Sequence, residues 1–144
     1  MKLLIINGPN LNMLGVREPE EYGVVTLPEI EKELYAYSFE LGIDIETFQS
    51  NIEGEIVDKI QKTLVDFDGI VINPRGYTHT SVAIRDAISA VNLPCVEVHM
   101  TNVYKREEFR HKSLIAPVCI GQISGFGKES YKLGLKALYD CLKK

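Results

Sequence analysis

The sequence predicts an α/β fold in three layers, with a parallel sheet of five strands between two layers of helices. Three observations predict it. Five short runs, most of them rich in Ile and Val, recur along the chain: Lys2 to Ile6, Ile43 to Phe48, Gly69 to Ile72, Cys95 to Val98 and Val118 to Ile120. Several of these runs show no polar alternation, as expected of strands covered on both faces. Amphipathic stretches separate the runs, and strand alternating with helix is the signature of a parallel sheet.

The elements follow in order. After the first run, residues 8–25 contain Gly8, Pro9, Gly15, Pro19 and Gly23 and suit neither helix nor strand. A loop this long in a compact domain is usually functional, often a lid. Thr26 to Leu41 places Leu27, Ile30, Leu34, Tyr37 and Leu41 on one helical face. Thr26 and Glu29 read as a capping box and Gly42 as the stop. Glu53 to Phe67 repeats the pattern through Ile56, Ile60, Leu64 and Phe67, Ser81 to Val91 through Val82, Ile84, Ala87, Ile88 and Val91, and Lys128 to Leu142 through Tyr131, Leu135, Leu138 and Leu142. Right-handed crossovers then put helices on both faces, and five strands in a chain of this length favour a flavodoxin-like sandwich with strand order 2-1-3-4-5.

Composition narrows the function. A chain of 144 residues predicts one domain, residues 1–144, which buries roughly 68–70% of its unfolded surface. The net charge of −4 argues against a nucleic-acid partner bound through a basic surface. No apolar run reaches membrane-spanning length, and the first residues lack the apolar core and cleavage site of a secretory signal, so no membrane partner is expected. Cys95, Cys119 and Cys141 form no C-x-x-C motif, and reduced thiols fit the cytoplasm. His79, His99 and His111 offer no i,i+4 pair that would clamp a metal. Gly121 to Lys128 resembles a phosphate-binding loop, but five residues separate Gly121 from Gly127 and Glu129 follows the lysine, so a glycine-rich turn into the last helix is expected there.

In an open α/β sheet, ligands bind beyond the carboxyl ends of the strands. The segments there are Asn7-Gly-Pro-Asn10-Leu-Asn12, Gln49-Ser-Asn51, Asn73-Pro-Arg-Gly-Tyr-Thr-His79-Thr-Ser81, and Glu97-Val-His99 followed by Met100, Thr101 and Asn102. Of the five arginines, Arg17, Arg75, Arg106 and Arg110 fall in these rim loops. An acidic protein that gathers its arginines at one rim expects a small, oxygen-rich anion, because a guanidinium forks onto a carboxylate. Asn7, Asn73 and His79 are also ordinary capping or core residues in other folds, and Arg17 suits a solvated ion pair equally well. Glu97 and His99 are more telling. They stand i,i+2 on one strand and so share a face, and a carboxylate beside an imidazole orients the ring for general acid catalysis.

Taken together, the motifs resemble type II 3-dehydroquinate dehydratase along essentially the whole chain. The residues that carry the resemblance are Asn7-Gly-Pro-Asn-Leu-Asn12, Leu14-Gly15-x-Arg17-Glu18-Pro19 with Tyr22-Gly23, Phe48-Gln-Ser-Asn51 with Glu53-Gly54, Ile72-Asn-Pro74, Tyr77-Thr-His-Thr-Ser81, Arg85-Asp86-Ala87, Glu97-Val-His99 and Phe109-Arg-His111. The resemblance implies a hydro-lyase of the shikimate pathway and aromatic amino-acid biosynthesis, or of quinate breakdown by the same reaction. It implies dehydration of 3-dehydroquinate to 3-dehydroshikimate without metal or cofactor, in a homododecamer built as a tetramer of trimers. By the same resemblance Tyr22 is the base, made acidic by Arg17. Asn10 and the backbone near Gly76 hold a water against the enolate, and His99, oriented by Glu97, protonates the departing hydroxyl. Asn73 and the backbone N–H groups of Met100 and Thr101 take the carboxylate, His79 and Arg110 take ring hydroxyls, and Asp86 reaches a neighbouring subunit's site.

The chain departs from the family pattern at one point. Where the family reads Asn-Pro-Gly-Ala, this sequence has Asn73-Pro74-Arg75-Gly76. If that position requires positive φ, Arg75 is strained, and its guanidinium then faces either an anionic substrate or a neighbouring loop. Two rivals share the architecture: a non-catalytic module that binds a small molecule or flavin, and a dehydratase of a related hydroxy-ketone acid. A binder has no need of an Arg-assisted Tyr together with a His–carboxylate pair.

Overall fold

A computed structural model describes residues 1–16 and 24–144 of the chain. Five strands, β1 (Lys2–Asn7), β2 (Asp44–Gln49), β3 (Gly69–Asn73), β4 (Cys95–His99) and β5 (Gly121–Ser124), form one sheet in the order β2-β1-β3-β4-β5. Every neighbouring pair is parallel. Four helices, α1 (Leu27–Leu41), α2 (Glu53–Lys62), α3 (Val82–Val91) and α4 (Glu129–Lys143), cover its two faces. The flavodoxin-like architecture and strand order expected from the sequence are those observed.

Period-two alternation along the buried strands divides the core. Leu3 and Ile5 of β1 join Val71, Val96 and Val98 against Ile30 and Leu34 of α1 and Tyr131, Leu135 and Leu138 of α4. Leu4 and Ile6 turn the other way and join Ile70 and Ile72 against Ile56 and Ile60 of α2 and Ile84, Ala87 and Ile88 of α3. The helix ends are fixed locally. Thr26 Oγ1 accepts from the Glu29 N–H, Gly42 closes α1 at φ 71°, and Ser81 Oγ accepts from the Ile84 N–H. The loop after β1 opens with a 3-10 turn at Leu11–Met13, and its Leu11 and Leu14 are buried in the core beside α1.

Two segments differ from the sequence pattern. The run Val118 to Ile120 is not a strand. Ala116–Val118 is a 3-10 turn begun around Pro117, which has no N–H to give a ladder, and pairing starts at Gly121 opposite Val96. Val118 and Cys119 still pack against the core, so their apolar character reflects a buried turn. The second helix ends at Lys62, short of Phe67. The Thr63 hydroxyl donates to the Ile60 carbonyl at 2.6 Å and closes the last turn, leaving Leu64 and Val65 at 65% and 85% exposure.

At the carboxyl edge, β1, β2, β3 and β4 each run one residue beyond their apolar run, so Asn7, Gln49, Asn73 and His99 are themselves the last strand residues. Asn7 lies beside Gln49 on one side and Asn73 on the other. Just beyond, the Gly8 N–H donates to the Asn73 carbonyl at 2.8 Å, and a Cβ on Gly8 would lie 2.5 Å from the Pro74 carbonyl oxygen. Backbone meets backbone there, so neither side can yield by a rotamer change. Gly8→Ala is therefore expected to lose about 2–3 kcal/mol of unfolding free energy in a denaturant titration; wild-type stability would show that the two loops are not held together in this way.

Candidate active site

Glu97 and His99 are both buried on β4. Strand periodicity puts them on one face, and the Glu97 carboxylate meets His99 Nε2 directly. Two more donors reach the carboxylate: Ser113 Oγ at 2.8 Å on Oε1 and Gln122 Nε2 at 2.6 Å on Oε2. Burial acts to push this carboxyl up, but the hydrogen bonds from His99, Gln122 and Ser113, with the attraction of the imidazole, outweigh it and hold the group below its ordinary value. The group is thus an anion with three donors. Because Nε2 is engaged, Nδ1 is the ring nitrogen that His99 can offer to a ligand.

His99 forms part of the wall of a cleft, with Asn73, Arg75, His79, Met100, Thr101, Val103, Arg106 and Arg110. Three guanidiniums and few apolar groups make it a site for a small polar anion. Glu107 stands at the rim beside two of them, 3.0 Å from Arg110 Nε and 3.8 Å from Arg106 Nε. His79 Nδ1 lies 2.8 Å from the Lys112 carbonyl oxygen, which can only accept, so Nδ1 carries the proton and Nε2 presents a lone pair. Burial pulls the His79 pKa down, and the nearby His99 and Arg110 act in the same direction, so the ring is neutral at physiological pH.

Beneath Asn73 a polar chain crosses the core. Asn73 Nδ2 donates to the Tyr131 hydroxyl at 2.9 Å, and that hydroxyl donates to Asn7 Oδ1 at 2.6 Å. Tyr131 is fully buried, and burial pushes its phenol well above the ordinary range, so it stays protonated. This chain sets which way the Asn73 amide faces. The Arg75 N–H turns back to Asn73 Oδ1 at 3.3 Å, and Arg75 has φ 53°, a left-handed backbone that costs a side-chain-bearing residue about 1–2 kcal/mol.

The chain as a whole is matched among known proteins. The Dehydroquinase class II family model matches residues 1–139. The chain belongs to the type II dehydroquinase family. It is 59% identical over 144 residues to the 3-dehydroquinate dehydratase of Geotalea daltonii, covering 100% of each chain. It is 60% identical over 140 residues to that of a Nitratiruptor species, covering 97% of this chain and 90% of the relative. The crystal structure of type II dehydroquinase from Butyrivibrio crossotus superposes with a TM-score of 0.94 at 48% identity, covering 96% of this chain and 97% of the other.

Of the residues singled out in the sequence, the cleft brings together Asn73, His79, His99, Met100, Thr101 and Arg110, with Glu97 behind His99. Asn10 lies outside the cleft wall, in a left-handed conformation at the start of the first 3-10 turn, its N–H held by Asn51 Oδ1 at 3.0 Å. Asp86 is exposed on α3, also outside the wall. Arg17 and Tyr22 lie outside the described residues. Sequence reasoning missed Ser113 and Gln122, the further donors to Glu97, and read Tyr131 as core alone. A phenol on the inner face of a helix needs a hydrogen-bond partner, which was the available signal. Among the described residues, no group of three or more His, Cys, Asp or Glu side chains is placed to hold a metal, and no helix is long and apolar enough to cross a membrane.

Two outcomes are expected. Tyr131→Phe strands a buried amide donor on Asn73 and an acceptor on Asn7, and should lower unfolding free energy by about 2–4 kcal/mol, measured by denaturant titration. The second concerns acid. Glu97 has a folded-state pKa below its ordinary 4.5, so the unfolded chain takes up this proton first. The stabilisation is complete above that ordinary value and is lost as pH falls through the folded one. Glu97→Gln should be less stable at neutral pH, and its stability should fall less steeply than that of wild type below pH 4.5; parallel acid limbs would show that Glu97 does not contribute.

Proposed function

We propose that the cleft dehydrates 3-dehydroquinate to 3-dehydroshikimate by anti elimination through an enolate. The observation that carries this reading is the buried Glu97–His99 pair opening into an arginine-lined cleft in a chain of the type II dehydroquinase family. The substrate is a carboxylated, hydroxylated cyclic ketone. Its elimination needs a base at the carbon beside the ketone, donors for the enolate oxygen and an acid for the leaving hydroxyl.

Tyr22 is the base. A free phenol titrates near 10, and the Arg17 guanidinium favours the phenolate by direct charge attraction. Asn10 and the backbone beside Gly76 hold a water that donates to the enolate oxygen. The anchoring of the Asn10 backbone on Asn51 supports this, since a pre-placed donor avoids reorganisation as charge develops. His99 delivers a proton from Nδ1 to the departing hydroxyl, and the hydroxyl leaves as water. Glu97 acts through His99 as a positioning residue. Asn73 and the N–H groups of Met100 and Thr101 take the carboxylate. Neutral His79, through its Nε2 lone pair, accepts from a ring hydroxyl, and Arg110 donates to another.

Residues 1–144 act as one catalytic domain, in a homododecamer arranged as a tetramer of trimers, with Asp86 completing a neighbouring site. The exposed position of Asp86 on α3 and the exposed rings of Tyr104 and Phe109 near the cleft support a subunit contact at this end of the sheet. The free thiols Cys95, Cys119 and Cys141 support residence in a reducing cytoplasm.

The purified chain mixed with 3-dehydroquinate should generate the ultraviolet absorbance of a conjugated enone, with or without a chelator. His99→Ala should lower kcat by about 10²–10⁴-fold, and Tyr22→Phe should abolish turnover while a substrate-like acid still binds. Strong turnover by Tyr22→Phe would remove the proposed base.

A further inference from the structure

We propose that Arg75 is a further substrate-binding residue, its guanidinium taking the carboxylate of the ring acid at the Asn73 end of the cleft. The inference rests on the dehydratase reading above and deepens it. Three observations carry it.

First, the backbone. Arg75 sits at φ 53°, where glycine is favoured. The next residue is a glycine that has no positive φ and has open space where a Cβ would go. The chain has therefore placed its unrestricted residue where none is needed, and a long cationic one where the backbone disfavours any side chain. Strain of this kind persists where the surroundings over-determine it, commonly at binding sites.

Second, the position. Arg75 is half-buried and lines the cleft next to Asn73, Met100, Thr101 and His99. Its own N–H holds Asn73 Oδ1, and its charge also acts on the Tyr131 phenol beneath Asn73. The guanidinium thus belongs to the Asn73 end, whereas Arg110 also lines an adjoining pocket with His79 and is ion-paired to Glu107.

Third, the chemistry. A planar guanidinium matches a carboxylate in a two-point fork and discriminates it from a hydroxyl by charge as well as geometry. The left-handed conformation directs the backbone N–H at Asn73 while the side chain lines the cleft, so one residue both meets the amide and supplies charge.

The test separates charge from backbone. Arg75→Gly removes guanidinium and strain, while Arg75→Ala removes the guanidinium and keeps the Cβ. Both variants should raise KM for 3-dehydroquinate by about 10- to 100-fold, with a smaller change in kcat. Only Arg75→Gly should raise Tm, by about 3–6 °C. Calorimetry uses two probes, a polyhydroxylated cyclohexane carboxylic acid and the same ring bearing hydroxymethyl in place of the carboxylate. Both variants should lose affinity for the acid and leave affinity for the alcohol unchanged. Unchanged affinity for the acid overturns the proposal, as does an equal loss for both probes, which would mean that Arg75 only shapes the turn. If the wild type fails to dehydrate 3-dehydroquinate yet the two probes still separate the variants, the dehydratase reading falls and the role of Arg75 stands.

Discussion

Glu97 is a carboxylate without exposed surface on an interior strand of a sheet. Withdrawing such a group from water costs several kcal/mol unless its lone pairs find donors. The structure supplies three donors from three separate places: His99 on the same strand, Gln122 on the neighbouring strand and Ser113 from the connection between them. Much of the local architecture follows from this requirement. Gln122 is the register partner of Glu97, so β5 must pair with β4 in the observed alignment and no other. Ser113 also accepts from the N–H groups of Ile115 and Ala116, tying the carboxylate to the turn that leads into β5. His99 is thereby locked in place by the same contacts that align the edge strand.

The Asn73 end of the cleft is fixed by neutral groups. Asn7, Tyr131 and Asn73 form a neutral chain of donors and acceptors, with no ion to desolvate. Its direction is unambiguous in chemical terms, because a hydroxyl that donates to an amide oxygen must accept from the other amide's nitrogen. The strand order makes this possible. β1 and β3 are neighbours, so their terminal asparagines lie side by side, and α4 crosses that face to bring Tyr131 between them. Asn7, Asn73, Glu97 and His99 therefore stand on the strands themselves. The loops beyond them supply charge.

The alternation of apolar runs with amphipathic stretches was enough to read five strands and four helices, because both periodicities are local properties of the chain, while the strand order came from the architecture that right-handed crossovers favour at this length. The fifth strand was misplaced by a few residues because Val118 and Cys119 are buried from a turn, and apolar character alone does not separate a buried turn from a short strand. Glu97 and His99 were legible as a pair since i,i+2 spacing on a strand fixes their common face. Ser113 and Gln122 were not, since their roles depend on cross-strand register and loop path, which no local spacing encodes. Tyr131 lay in plain sight as a core position. Its polar end gained meaning only once two asparagines from distant segments were brought to it.

Arg75, Arg106 and Arg110 meet at one cleft in a chain whose net charge is −4. This distribution has a kinetic as well as an equilibrium consequence. An acidic surface repels an anionic ring acid everywhere except at a mouth of opposite sign, and low-dielectric walls focus the field there. Burial, with the nearby His99 and Arg110, disfavours protonation of His79, which keeps a lone pair on Nε2, while His99 is tied to the Glu97 anion. Two histidines in one pocket thus have different neighbours: Arg110 and a backbone carbonyl for His79, a buried carboxylate for His99.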